Sequence, residues 1–180
     1  MTTPLCDALD VFREETAYNA ANAPQINPGG AGGVYYEKQN LKVTVTAMSD
    51  GYLYIDYVDA KNDPSYVPKD PTEPDQYIIH LLPNDMWRKD EWRVKAGEKV
   101  VIGTLPDVLA HYIIAPPFGT YLIFAVVSPE PLFQPPRAIQ EPAADYLPVL
   151  RARLAAVAQR SGRQSLPAAS TTIVFQEKKP

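Results

Sequence analysis

The chain has a single cysteine, Cys6, so no disulfide can close within it and no thiolate cluster can hold zinc. It has two histidines, His80 and His111, and neither stands in a His-Glu-x-x-His pattern. Basic residues are not in excess: 17 Lys and Arg against 21 Asp and Glu leave a net charge of −4. A dedicated nucleic-acid binder carries a clustered basic surface, so no nucleic acid is expected as a partner. The one basic cluster, Arg151–Arg163, is spaced like the wet side of a helix. No apolar run approaches the ~20 residues of a membrane-spanning helix, and direct membrane insertion is not expected. No basic stretch followed by an apolar one opens the chain, so no signal peptide is read. The compartment stays open between the cytoplasm and the periplasm, the latter as part of a membrane-anchored protein. No Gly-x-Ser-x-Gly elbow occurs, and Cys6 has no cationic neighbour in sequence.

Proline is what the chain has in plenty: 19 in 180 residues, about twice the usual ~5%. The prolines fall mostly between apolar runs and mark loops. The length suits one domain over residues 1–180 with a core of its own, whether it stands alone or is one part of a longer protein.

The stretch Gly51–Val58 is the centre of the pattern. Leu41, Val43, Val45 and Ala47 alternate with Lys42, Thr44 and Thr46 just before it, which predicts a half-buried strand. Asp50-Gly51 reads as a hairpin turn. The following strand sets Leu53, Ile55 and Tyr57 on one face and Tyr52, Tyr54 and Asp56 on the other. Further strands are expected at Gln76–Leu82, Glu98–Ile102, His111–Ala115 and Tyr121–Val127. The first and last are apolar on both faces, apart from His80, and read as central.

Helices are expected at both ends. Residues 4–22 open with Thr3 and Pro4 and repeat Leu5, Ala8, Leu9 and Phe12 at helical spacing, with a strand over 5–12 as the competing reading. Residues 143–160 carry the stripe Leu147, Leu150, Leu154 and Val157, with Asp145 near the positive end and Gly162 as the stop. Residues 171–176 read as a terminal strand returning to a sheet edge.

Several stretches invite a ligand. Pro24–Gly33 is glycine-rich, but it lacks the Gly-Lys-Ser/Thr of a phosphate loop and leads into a strand, so it reads as a linker. Asp59–Asp75 holds five carboxylates without a calcium-loop pattern and reads as a solvated loop. His80, in an apolar strand, reads as a core histidine satisfied by internal hydrogen bonds. Asp56 with Asp59 is the carboxylate pair a hydrolase would use, although surface loops commonly hold such pairs. No cofactor and no metal site is expected.

A series of short motifs runs through the middle of the chain. It comprises Gly33-Val-Tyr-Tyr-Glu37, Leu41-Lys-Val-Thr-Val45, Asp50-Gly-Tyr-Leu-Tyr-Ile-Asp-Tyr57, His80-Leu-Leu-Pro-Asn84, Lys95-Ala-Gly-Glu98, Ala115-Pro-Pro-Phe-Gly-Thr120 and Ala125-Val-Val-Ser-Pro-Glu-Pro-Leu132. In this order the series resembles a bacterial domain-of-unknown-function family whose members are often attached to serine/threonine protein kinases or caspase-like peptidases. The resemblance covers roughly residues 33–133 and implies a β-sandwich-like accessory or sensor domain without an assigned active site. The Val58–Gln76 loop departs from it, being longer and richer in proline than the short Asp-Gly turn of the family.

The fold expected is mainly β: an antiparallel, Ig-like β-sandwich over 33–133 with an N-terminal and a C-terminal helix packed on it. The function expected is a non-catalytic accessory domain acting on a protein partner or an adjoining catalytic domain. The residues singled out for contact are Tyr52, Tyr54, Asp56, Trp87, Trp92, Pro116, Pro117 and Phe118, because rigid aromatics bury much area and lose few rotamers. A plainer reading places Tyr52 and Tyr54 under a terminal helix and Trp87 and Trp92 over a core edge. The alternative function is a carbohydrate or small-ligand site, with the Tyr/Trp set stacking on sugar rings and Asp56 holding hydroxyls.

Overall fold

The computed structural model describes Glu14 and residues 21–58, 77–82, 92–103, 112–134 and 137–178. Among these the chain is mainly β, with two sheets and one helix. Strands β1 (Gln25–Asn27), β3 (Val43–Thr46) and β7 (Lys99–Ile102) form a three-stranded sheet in the order β1-β3-β7. The larger sheet runs β2-β10-β8-β4-β5-β9, from β2 (Val34–Tyr36), β10 (Ala168–Gln176), β8 (Gly119–Ser128), β4 (Gly51–Val58), β5 (Tyr77–His80) and β9 (Gln140–Pro142). Strand β6 (Arg93–Val94) pairs with the start of β4. The helix α1 (Ala143–Ser161) follows β9 directly. The expected N-terminal helix falls outside the described residues apart from isolated positions.

The large sheet is the middle layer of three, and this explains why β4 and β8 are apolar on both faces. Leu53, Ile55 and Tyr57 of β4 join Tyr121, Ile123, Ala125 and Val127 of β8 against Val43 and Val45 of the small sheet. Tyr54 and Val58 join Leu122, Phe124 and Val126 against Leu147, Leu150, Leu154 and Val157 of α1. Strand alternation sends successive side chains to opposite layers, so one strand serves two cores. The α1 stripe expected from sequence is the buried face, Asp145 lies in the first turn, and the chain leaves the helix at Gly162. Pro142 is the cap residue that precedes the first turn.

Two sequence expectations are corrected. Asp50-Gly51 joins β3 to β4, but these strands lie in different sheets and do not pair. Val45 and Ile55 face the same core, so the strands stack face to face instead of edge to edge. The turn is held elsewhere: the Ala96 amide donates to Asp50 Oδ1 at 2.8 Å. A side chain at Gly51 would place its Cβ 2.5 Å from the Ser128 carbonyl oxygen, which accounts for the glycine. The terminal strand is longer than 171–176 and is not an edge. It lies between β8 and β2, and β2 pairs with it in parallel from Val34↔Val174 to Tyr36↔Gln176. The sheets are otherwise antiparallel. Of the expected strand at His111–Ala115, the described part makes only a single bridge, Ile113 to Asn40.

Candidate functional site

The most built polar feature lies between the large sheet and α1. Asp56 on β4 stands directly across from His80 on β5 in the antiparallel register. Both are closed to solvent, at 1% and 0% exposure. His80 Nδ1 is 2.7 Å from Asp56 Oδ1, and His80 Nε2 is 2.7 Å from Glu141 Oε2 on β9. The Tyr146 hydroxyl on α1 donates to the other Asp56 oxygen at 2.5 Å, and Arg137 Nη2 donates to the Tyr146 hydroxyl at 3.1 Å. Arg137 Nη2 also lies 3.0 and 3.3 Å from the two ring nitrogens of His80. Asp56 and Glu141 each place a carboxylate oxygen at one of the two ring nitrogens. The guanidinium, which can only donate, reaches the Tyr146 hydroxyl and lies against the ring. Two carboxylates thus sit against a guanidinium and the imidazole that joins them.

Burial by itself would push the Asp56 carboxyl up. The hydrogen bond and positive charge of His80, then the charge of Arg137 and the Tyr146 hydroxyl, outweigh it and hold Asp56 below its usual value. Burial, followed by the negative charge of Asp56, pushes the Tyr146 phenol well above its usual value, so it remains a donor. Arg137 also packs on rings: its guanidinium carbon is 4.1 Å from the Phe133 centroid and 5.7 Å from that of Tyr54. Arg137 Nε has no hydrogen-bond partner among the described residues. Only Glu141 reaches solvent, with its side chain 39% exposed. Asp56 and Glu141 lie on opposite ring nitrogens of His80, so the three cannot converge on one ion. Among the described residues no group of His, Cys, Asp or Glu is placed to hold a metal.

The internally satisfied histidine expected from sequence is what β5 carries. The contact residues fare differently. Tyr54 and Asp56 are buried beneath α1, and Tyr52 is half-buried with Arg93 over its ring. Tyr54 uses its hydroxyl to accept the Leu132 amide at 2.8 Å. The helix-covered reading of these tyrosines is the one that holds, because α1 presents its leucine stripe to that face. Each Asp56 oxygen already accepts a hydrogen bond inside the network and the side chain is closed to solvent, while Asp59 lies outside the described residues. Trp92 is 1% exposed and packs on Tyr54 at 5.7 Å, so it belongs to the core and is not an exposed anchor. Its φ of 65° is uncommon for a bulky residue, and its Nε1 has no hydrogen-bond partner among the described residues. Trp87 and His111 lie outside the described residues.

Among the described members of the set, Pro116 is exposed, and Pro117, Phe118 and Tyr52 are half-buried. The Pro116-Pro117 bond is cis, and the Pro117 carbonyl accepts the Tyr121 hydroxyl. Beside them Ile113 is 61% exposed. Sequence reasoning missed Arg137, Glu141 and Tyr146, which reach His80 or Asp56 across separations of 57, 61 and 90 residues. The only signal available was a histidine in an apolar strand, which demands partners without naming them. Comparison with family models, curated proteins and solved structures found no match for this chain. No helix among the described residues is long and apolar enough to cross a membrane.

Proposed function

We propose that this is a non-catalytic accessory or sensor domain that acts by contact with a protein partner or with an adjoining catalytic domain. In this reading the fold is an Ig-like sandwich covered by terminal helices, and the motif series of residues 33–133 belongs to the kinase- and peptidase-associated family it resembles. The observation that carries the reading is Ile113. It is 61% exposed, in a short segment with exposed Pro116 and half-buried Phe118, on rigid backbone. The Ile114 amide donates to the Gln39 carbonyl and the Lys38 amide to the Ile114 carbonyl, each at 2.8 Å. Exposed apolar groups on a pre-ordered backbone lose little entropy when covered. The titratable cluster at Asp56 and His80 offers no comparable access, since α1 closes it.

Affinity capture from bacterial lysate and envelope extract, with mass spectrometry as the readout, tests this. A saturable protein is expected with the unaltered domain and should be lost with Ile113→Asp, whose melting temperature should be unchanged because the side chain contacts mainly solvent. Capture that Ile113→Asp leaves intact overturns the proposed surface; saturable capture of nothing overturns the protein-contact reading.

A further inference from the structure

A groove of about 540 Å³ opens where β2 and β10 end, lined by Tyr36, Glu37, Lys38, Gln39, Gln176 and Lys178. That size falls within the ~300–1,000 Å³ of small-molecule sites. Its backbone is fixed. The Glu37 amide donates to the Gln176 carbonyl at 2.9 Å, and Lys38 donates to Ile114. The Gln39 amide donates to the Tyr36 carbonyl at 3.0 Å, while the Tyr36 amide donates to Gln39 Oε1 at 2.8 Å. Lys38 is held at φ 67°, a conformation that non-glycine residues seldom adopt. These bonds also use up the outward groups of β2 near Tyr36, which blunts the edge against strand addition.

The side chains are the reverse of the backbone. Among the described residues, Tyr36, Glu37, Lys38, Gln176 and Lys178 have no hydrogen-bond or ion-pair partner for their polar ends. Five residues with unpaired polar groups of mixed donor and acceptor character therefore line one groove, with Tyr36 38% exposed. A sugar matches this set. Its hydroxyls both donate and accept, and its C–H face stacks on an aromatic ring. Two lysines against one glutamate leave the lining with a net charge of +1 in a chain of −4.

We infer that this groove binds an acidic saccharide, a sugar bearing a carboxylate, with the ring face on Tyr36, hydroxyls on Glu37 and Gln176, and the carboxylate between Lys38 and Lys178. The site differs from the aromatic set that the sequence suggested, and it stands whether or not Ile113 meets a protein.

The test is nuclear magnetic resonance titration of the isotope-labelled chain with digalacturonate, its neutral methyl ester, and acetate. Digalacturonate should give saturable shifts confined to amides of 36–39 and 176–178. Tyr36→Ala should weaken it at least tenfold, and Lys38→Gln with Lys178→Gln should weaken it severalfold while leaving the ester unchanged. All of these side chains project from the surface, so the variants should keep the parent spectrum elsewhere. Absence of saturable shifts, or binding that Tyr36→Ala leaves intact, overturns the inference. Equal shifts from acetate would overturn it too, showing a carboxylate site with no part for the sugar. Equal affinity for the ester would overturn the acidic class.

Discussion

Replacing Asp56 by Asn tests the buried network most directly. The change is nearly isosteric, so it opens no cavity, but it removes the negative charge and places an amide donor where two donors already point. Asp56 accepts from His80 at 2.7 Å and from Tyr146 at 2.5 Å. Hydrogen bonds to charged groups contribute ~1.5–3 kcal/mol each, so two are worth about 3–6 kcal/mol. Breaking one side of a buried pair costs ~3–5 kcal/mol by the separate route of leaving an uncompensated charge. The two estimates overlap near 4 kcal/mol, which for a chain of this length lowers the melting temperature by about 8–16 °C. Thermal and urea unfolding followed by circular dichroism would measure it. The pH dependence carries a sign as well. Because the folded carboxyl titrates below its usual value of 3.8, its contribution is complete above that value and is lost as pH falls through the folded one. The gap between parent and Asp56→Asn should therefore be widest near neutrality and close in acid. A loss under about 1 kcal/mol, or a gap that does not change with pH, would refute the account of Asp56 as a charged acceptor.

Two further predictions concern the layers around the network. Leu150→Ala, fully buried on α1, should cost about 2–5 kcal/mol in the same unfolding assay; a loss under 1 kcal/mol would mean that α1 does not cover the sheet as described. Gly103→Ala should be far more damaging than Gly97→Ala. Both glycines have positive φ, 88° and 84°, but an added Cβ at Gly103 would lie 1.9 Å from the Leu41 carbonyl oxygen, whereas at Gly97 no described residue lies within 4 Å. Gly97→Ala should cost only the ~1 kcal/mol of the backbone conformation, and equal losses at the two sites would contradict the close approach.

The elements that depend on neighbours in sequence were legible without coordinates. The period of Leu147, Leu150, Leu154 and Val157 located α1 and its buried face, and the alternation around Val43 and Leu53 located β3 and β4. The apolar character of Tyr121–Val127 on both faces placed it inside a layered structure, and the isolation of His80 among apolar residues implied internal partners. Local spacing carries that information because helix and strand periods are set by the backbone itself. Which strands pair is set by contacts between distant residues. Asp50-Gly51 has the chemistry of a hairpin, yet β3 and β4 part company because each has a better neighbour elsewhere, β7 and β8. The same limit applies to the candidate sites. Tyr52, Tyr54 and Trp92 have the composition of a contact surface, and only the docking of α1 and the course of β6 turn Tyr54 and Trp92 into core and half-bury Tyr52. Glu141 and Tyr146 carry no local mark of their role. They meet His80 and Asp56 because β9 completes the sheet edge and α1 folds back across it, and the groove at Tyr36 exists because β2 returns in parallel to the last strand of the chain.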